Sequence, residues 1–203
     1  MCLPHGEIPA GARLPPIDRA CLVLIDLQRL FIDPSSPAFV PGWSTAAAQA
    51  ERLALAFAER GWPVLRTRHV HPEGDHGGTL AWFFHRLQRA DDPWSEVPPD
   101  AVPAAADAPL LDKARLSALS VPAIEEVARR ERVLVLAGVH THRCVLATAV
   151  DAARLDLCPV VVSDACAARP PERHQQALDV LGAGHAFVVT TDALLAALEG
   201  AAP

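Results

Sequence analysis

The chain has 203 residues, 51% of them hydrophobic and 21% charged, with a formal net charge of -6. That length suits one well-covered core, read as a single domain over residues 1–203, and the apolar content without a low-complexity run excludes the disordered class. No Lys/Arg stripe offers an electrostatic footprint for nucleic acid or an anionic membrane, so a small molecule is the expected partner.

No run approaches the roughly 20 apolar residues of a membrane span, and the first residues lack the basic and apolar regions of a signal peptide. A cytoplasmic location is expected. Five cysteines, Cys2, Cys21, Cys144, Cys158 and Cys166, form an odd set without Cys-x-x-Cys spacing. This argues against a disulfide framework and against a cysteine zinc knot.

In chain order, Ala20 to Ile25 is a short apolar run that reads as a buried first strand and ends at Asp26. Residues 34–44 are a proline-rich loop, and Thr45 to Arg60 repeats apolar residues at helical spacing before Gly61 stops it. Pro63 to Thr67 is the second strand. Beyond it lie His69, His71 and His76, an imidazole count seen in some zinc sites; the alternative is polar loop or pocket residues. Residues 80–90 suggest a short helix carrying Trp82, Phe83 and Phe84, placed either in a pocket wall or in the core. Residues 91–109, rich in Pro, Ala and Asp, suggest a lid or a subunit contact.

Pro109 to Lys113 is the third strand, and Pro122 to Arg130 a helix with Ile124, Val127 and Ala128 on one face. Val133 to Val139 is a continuous apolar run rich in β-branched residues, suited to a strand buried on both faces. The following segment reads as a helix with Cys144 near its start, where the helix dipole would lower the thiol pKa from about 8.5. The opposing reading is a small buried apolar residue. A strand from Pro159 to Ser163, a helix from Pro171 to Leu181, a strand from Ala186 to Thr190 and a helix from Asp192 complete the alternation. Such βαβ alternation predicts a three-layer, doubly wound, mostly parallel six-stranded α/β sheet with helices on both faces, Rossmann-like in layout.

Asp26, Lys113 and Cys144 each fall at or just beyond the carboxyl end of a separate strand, where ligand crevices lie in open α/β sheets. Four ordered segments, Leu-Val-Leu-Ile-Asp26-Leu-Gln28-Arg-Leu-Phe31, Leu-Leu-Asp-Lys113-Ala-Arg-Leu-Ser-Ala-Leu, Leu-Ala-Gly138-Val-His-Thr141-His-Arg-Cys144-Val-Leu-Ala-Thr148 and Val-Val-Val-Ser-Asp164-Ala-Cys-Ala, resemble the isochorismatase-like cysteine hydrolases over nearly the whole chain. That family includes nicotinamidases and N-carbamoylsarcosine amidohydrolases. The resemblance implies the isochorismatase-like hydrolase fold and an Asp26-Lys113-Cys144 triad for amide or ureide hydrolysis. It also implies a cis Val139–His140 bond, an oxyanion hole from the His140 and Cys144 N–H groups, and a homo-oligomer, dimer or tetramer. Gln28, Phe31, His71, Trp82 and Thr141 become pocket candidates. No cofactor is expected to be required.

The chain also departs from the family. Where nicotinamidases place the aspartate of an Asp-x-His metal pair, it carries His69, so zinc on His69, His71 and His76 is the lesser alternative. Leu119 and Val121-Pro122 replace the usual Phe and Gly-Thr after the lysine motif, and the substrate therefore does not carry over. Arg68, Arg86, Arg115 and Arg143 are candidates for a substrate carboxylate. Some relatives cleave the vinyl ether of isochorismate without a cysteine nucleophile. A receiver-like binding module and an inactive scaffold are the non-enzyme alternatives.

Overall fold

The computed structural model describes residues 14–83 and 87–199. Six strands, β1 (Cys21–Ile25), β2 (Val64–His69), β3 (Leu110–Lys113), β4 (Val133–Val139), β5 (Cys158–Ala167) and β6 (Phe187–Val189), form one sheet in the order β3-β2-β1-β4-β5-β6. Each neighbouring pair is parallel. The α-helices are α1 (Arg29–Ile32), α2 (Trp43–Glu59), α3 (Pro122–Glu131), α4 (Leu146–Arg154), α5 (Glu172–Gly182) and α6 (Thr191–Glu199). No helix among the described residues is long and apolar enough to cross a membrane.

The strand alternation builds the layers. Leu22, Leu24, Val135 and Val160 join Leu53, Phe57 and Leu194 in the cluster under α2 and α6. Their neighbours Val23, Ile25, Leu134, Leu136 and Val161 join Ile124, Ala149 and Leu181 in the cluster under α3, α4 and α5. Because side chains alternate across a strand, a strand apolar at every position must be covered on both faces. β1 and β4 are buried at every residue.

The sheet order reverses between β1 and β4. From β1 the chain builds outward through β2 and β3, then crosses to the other side for β4, β5 and β6. The crossovers leave a crevice at the carboxyl ends where the order switches. Gly138 sets how closely these strands approach there. It has φ +119°, and a Cβ at this position would lie 2.7 Å from the Ile25 nitrogen and against the Ile25 carbonyl. Gly138→Ala is expected to cost about 3 kcal/mol from the backbone clash and the left-handed φ together. Urea denaturation checks this; a loss under 1 kcal/mol (the scale of an unstrained surface change, about 0.5 kcal/mol) would mean that the strands part without cost.

Three elements differ from expectation. The short helix expected over 80–90 is a 3-10 turn at Gly78–Trp82; Phe84 and Arg86 lie outside the described residues. Residues 91–109 form short 3-10 turns whose Ala101, Val102 and Ala105 pack into the α2 cluster. There Glu51 of α2 accepts the Ala104 N–H at 2.9 Å, so this segment is a packed wall of the domain. β5 runs to Ala167, past the expected end at Ser163, through a register shift opposite Leu136/Gly138.

Candidate active site

Asp26 follows β1 with φ +53°, a left-handed conformation that aspartate tolerates better than most residues. Its N–H donates to the Thr67 carbonyl at 3.1 Å, and its Oδ1 accepts the Thr67 hydroxyl at 2.7 Å. Thr67, on β2, is thus part of the site. Sequence reading did not single it out, because only the strand pairing brings it beside Asp26. Lys113 ends β3, and its side chain is fully buried beside the equally buried Asp26 carboxylate, with Nζ 2.8 Å from Oδ2. Burial by itself would neutralise both groups. Each instead holds the other charged: the Lys113 ammonium keeps the Asp26 carboxyl below its ordinary value, and Asp26 with Cys144 raises the lysine.

Cys144 sits in a wide π-helical turn, Thr141–Val145, that runs into α4. Its Sγ accepts from Lys113 Nζ at 3.3 Å and lies within 4.8 Å of a carboxylate oxygen of Asp26. The expectation of a dipole-lowered thiol is overturned. Burial pushes Cys144 up to about 12, and the opposing pull of Lys113 does not compensate. The resting site therefore holds a neutral thiol beside a Lys113–Asp26 ion pair.

Cys144 lines a cavity of about 570 Å³ together with Leu30, Phe31, Trp94, Leu116 and His140, while Asp26 and Lys113 are buried beside it, outside the lining. The Val139–His140 peptide is cis. The His140 ring meets Phe31 edge-on at 4.8 Å, and burial lowers its pKa to about 3, so it is neutral. Of the other pocket candidates, Phe31 and His71 border the cavity. Gln28 is fully buried and braces a neighbour instead, its Oε1 accepting the His69 N–H at 2.7 Å. Thr141 is buried, with Oγ1 2.8 Å from His174 Nδ1. Trp82 is 88% exposed and outside the cavity lining, where Phe83 and Trp94 stand.

The three histidines do not converge. His69 and His71 bring their Nε2 atoms to 3.2 Å, but His76 is exposed. Among the described residues, the one grouping with ion-binding spacing is Asp26, His69 and Cys144. That space already has its cation: Lys113 Nζ lies 2.8 Å from Asp26 Oδ2, 3.2 Å from His69 Nδ1 and 3.3 Å from Cys144 Sγ. A metal ion would have to displace a buried ammonium, so the donor set does not fit one. Of the arginines, Arg68 pairs with Asp112 at 2.6 Å and Arg115 with Asp75 at 2.9 Å, while Arg143 borders the cavity together with Arg169.

The isochorismatase domain model matches residues 20–193. The chain is 30% identical to the isochorismatase of Bacillus subtilis (strain 168) over 193 residues, covering 93% of this chain and 61% of that protein, so it spans less than two thirds of that relative. It is 33% identical to the phenazine biosynthesis protein PhzD1 of Pseudomonas aeruginosa, covering 87% of this chain and 85% of that one. In fold it is similar to the cysteine hydrolase of Pseudomonas syringae pv. phaseolicola 1448A, with a TM-score of 0.82 and 20% identity over 93% of this chain and 96% of that one. With the domain model spanning all six strands and the helices as far as the start of α6, the chain belongs to the isochorismatase family of hydrolases.

Proposed function

We propose that this hydrolase cleaves a small-molecule C–N amide or ureide bond through a thioester on Cys144. The observation that supports this best is the single buried ammonium of Lys113 in contact with both the Asp26 carboxylate and the Cys144 sulfur at the floor of a cavity. The thiol, raised to about 12 by burial, ionises only if its proton stays within the site. Moving the proton to Asp26 conserves the net charge of the triad, and the Lys113 ammonium then faces the thiolate. The thiolate attacks the carbonyl carbon, and the backbone N–H groups of His140 and Cys144 take the oxyanion. As the C–N bond breaks, Asp26 returns the proton to the leaving nitrogen. Water, deprotonated by the same carboxylate, then cleaves the C–S bond; the acid leaves and the thiol is restored.

The cavity suits a substrate with an apolar body, and Arg143 and Arg169 at its border suit an anionic substituent on that body. This reading needs no metal, because Lys113 supplies the positive charge. By family resemblance the protein is a homo-oligomer.

A second reading rests on the curated relatives named isochorismatase and PhzD1. In it Asp26 protonates the vinyl ether of isochorismate and Cys144 only packs. A panel of nicotinamide, N-carbamoyl amino acids, ureides and simple amides, scored by ammonia release, with isochorismate followed separately, decides between the two. Ammonia release from any member supports the thioester route; turnover of isochorismate alone overturns it.

A further inference from the structure

Lys113 has three ammonium hydrogens and four acceptors around Nζ: Asp26 Oδ2 at 2.8 Å, His69 Nδ1 and the Arg115 carbonyl, both at 3.2 Å, and Cys144 Sγ at 3.3 Å. The shortest of the four contacts is the one to the Asp26 carboxylate, a buried ammonium–carboxylate pair. A lysine ammonium only donates, so the His69 nitrogen that faces it must be the bare one. His69 then carries its proton on Nε2, which points at His71 Nε2, 3.2 Å away. That nitrogen must accept, so the His71 proton is on Nδ1. Burial keeps both rings below their ordinary pKa, His69 at about 4, in keeping with two neutral imidazoles.

His71 Nδ1 is buried without a hydrogen-bond partner and aims at Asp75 Oδ2 at 3.6 Å. The same Asp75 oxygen pairs with Arg115 at 2.9 Å, and the Arg115 carbonyl accepts from Lys113. The contacts therefore close into a ring from Lys113 through His69, His71, Asp75 and Arg115 back to Lys113. Two ammonium hydrogens are spent on this ring. The third is left to the reacting pair, Asp26 Oδ2 and Cys144 Sγ.

We propose that His69 and His71 form a relay of opposite, fixed tautomers, Nε2–H in His69 and Nδ1–H in His71, through which Asp75 holds the Lys113 ammonium between the Asp26 carboxylate and the Cys144 sulfur. His69 is thus a positioning residue. Backbone braces hold both rings in place: Gln28 Oε1 accepts the His69 N–H at 2.7 Å, and the His71 N–H donates to the Gln88 carbonyl at 2.8 Å. The purpose assigned to the relay rests on the cysteine-hydrolase reading, whereas the tautomers do not.

Two measurements test it. In protein carrying 15N-labelled histidine, long-range 15N–1H correlation at pH 7.5, with signals assigned by the loss of each in His69→Gln and His71→Gln, is expected to show the two opposite tautomers. Two Nδ1–H rings, as a metal on both Nε2 atoms would impose, or an imidazolium at either position, would overturn the relay. The second readout is the rate at which iodoacetamide alkylates Cys144, followed by peptide mass spectrometry. His69→Leu, which removes the acceptor, is expected to slow alkylation by about 10-fold, the scale of one hydrogen bond to a charged group. His69→Asn, whose Oδ1 can stand where Nδ1 stood, is expected to recover most of that loss. Equal rates in the two variants would overturn the positioning role. If turnover survives Cys144→Ala while the opposite tautomers are observed, the thioester reading fails and the relay remains.

Discussion

Cys144→Ala is expected to lower amide or ureide turnover by about 10⁴-fold or more, the scale seen when a covalent nucleophile is removed from a triad. The cause is specific to this site. The thiol starts neutral, pushed up to about 12 by burial, so the reaction depends on the sulfur, the Asp26 carboxylate that takes its proton and the Lys113 ammonium acting as one unit. Removing the sulfur leaves the ion pair and the cavity intact, so substrate should still bind while turnover is lost. Brief acid quenching of wild type with substrate should show an acyl adduct on the peptide containing Cys144. Near-wild-type turnover in Cys144→Ala would sink the covalent route and favour direct protonation of a vinyl ether by Asp26.

Lys113→Met is expected to destabilise the protein by about 3 to 5 kcal/mol at pH 7, because it leaves the Asp26 carboxylate buried without its counter-charge. The double variant Lys113→Met with Asp26→Asn should recover much of that loss, since neither group is then a stranded charge and asparagine also accepts the left-handed φ at position 26. Urea midpoints of the two variants decide this. A single variant as stable as wild type would show that water or another cation reaches Asp26. The pH dependence follows from the directions of the shifts. Asp26 is depressed in the folded protein, so its contribution is full above the ordinary carboxyl value of about 3.9 and is lost as pH falls through the lower folded value. Lys113 is raised, so its contribution is full below about 10.4 and is lost above the higher folded value. In Lys113→Met burial alone acts on Asp26 and raises it, so as pH falls the gap between wild type and variant should begin to narrow above the ordinary carboxyl value and go on narrowing until the wild-type carboxylate is itself protonated.

The sequence by itself determined the sheet and its reaction edge. Apolar runs such as Val133 to Val139 cannot be satisfied on a half-exposed strand, and their alternation with helices leaves right-handed parallel crossovers as the consistent solution. A parallel sheet of that kind collects polar strand-end residues in one crevice, which places Asp26, Lys113 and Cys144 together, while their roles as a triad were legible only through the resemblance of four ordered segments to a family. What depended on distances between strands was not legible. Thr67 supports Asp26 only because β2 pairs with β1. Gln28 turned inward to brace the His69 backbone, and Trp82 turned out to solvent. His69 and His71 met each other and Lys113, leaving His76 outside, because a buried ammonium already sits where a metal ion would go. Only the tertiary structure decided the protonation of the site. Chain position suggested a thiol activated by a helix terminus, but the free energy of a charge depends on everything packed around it, and here burial outweighs the dipole.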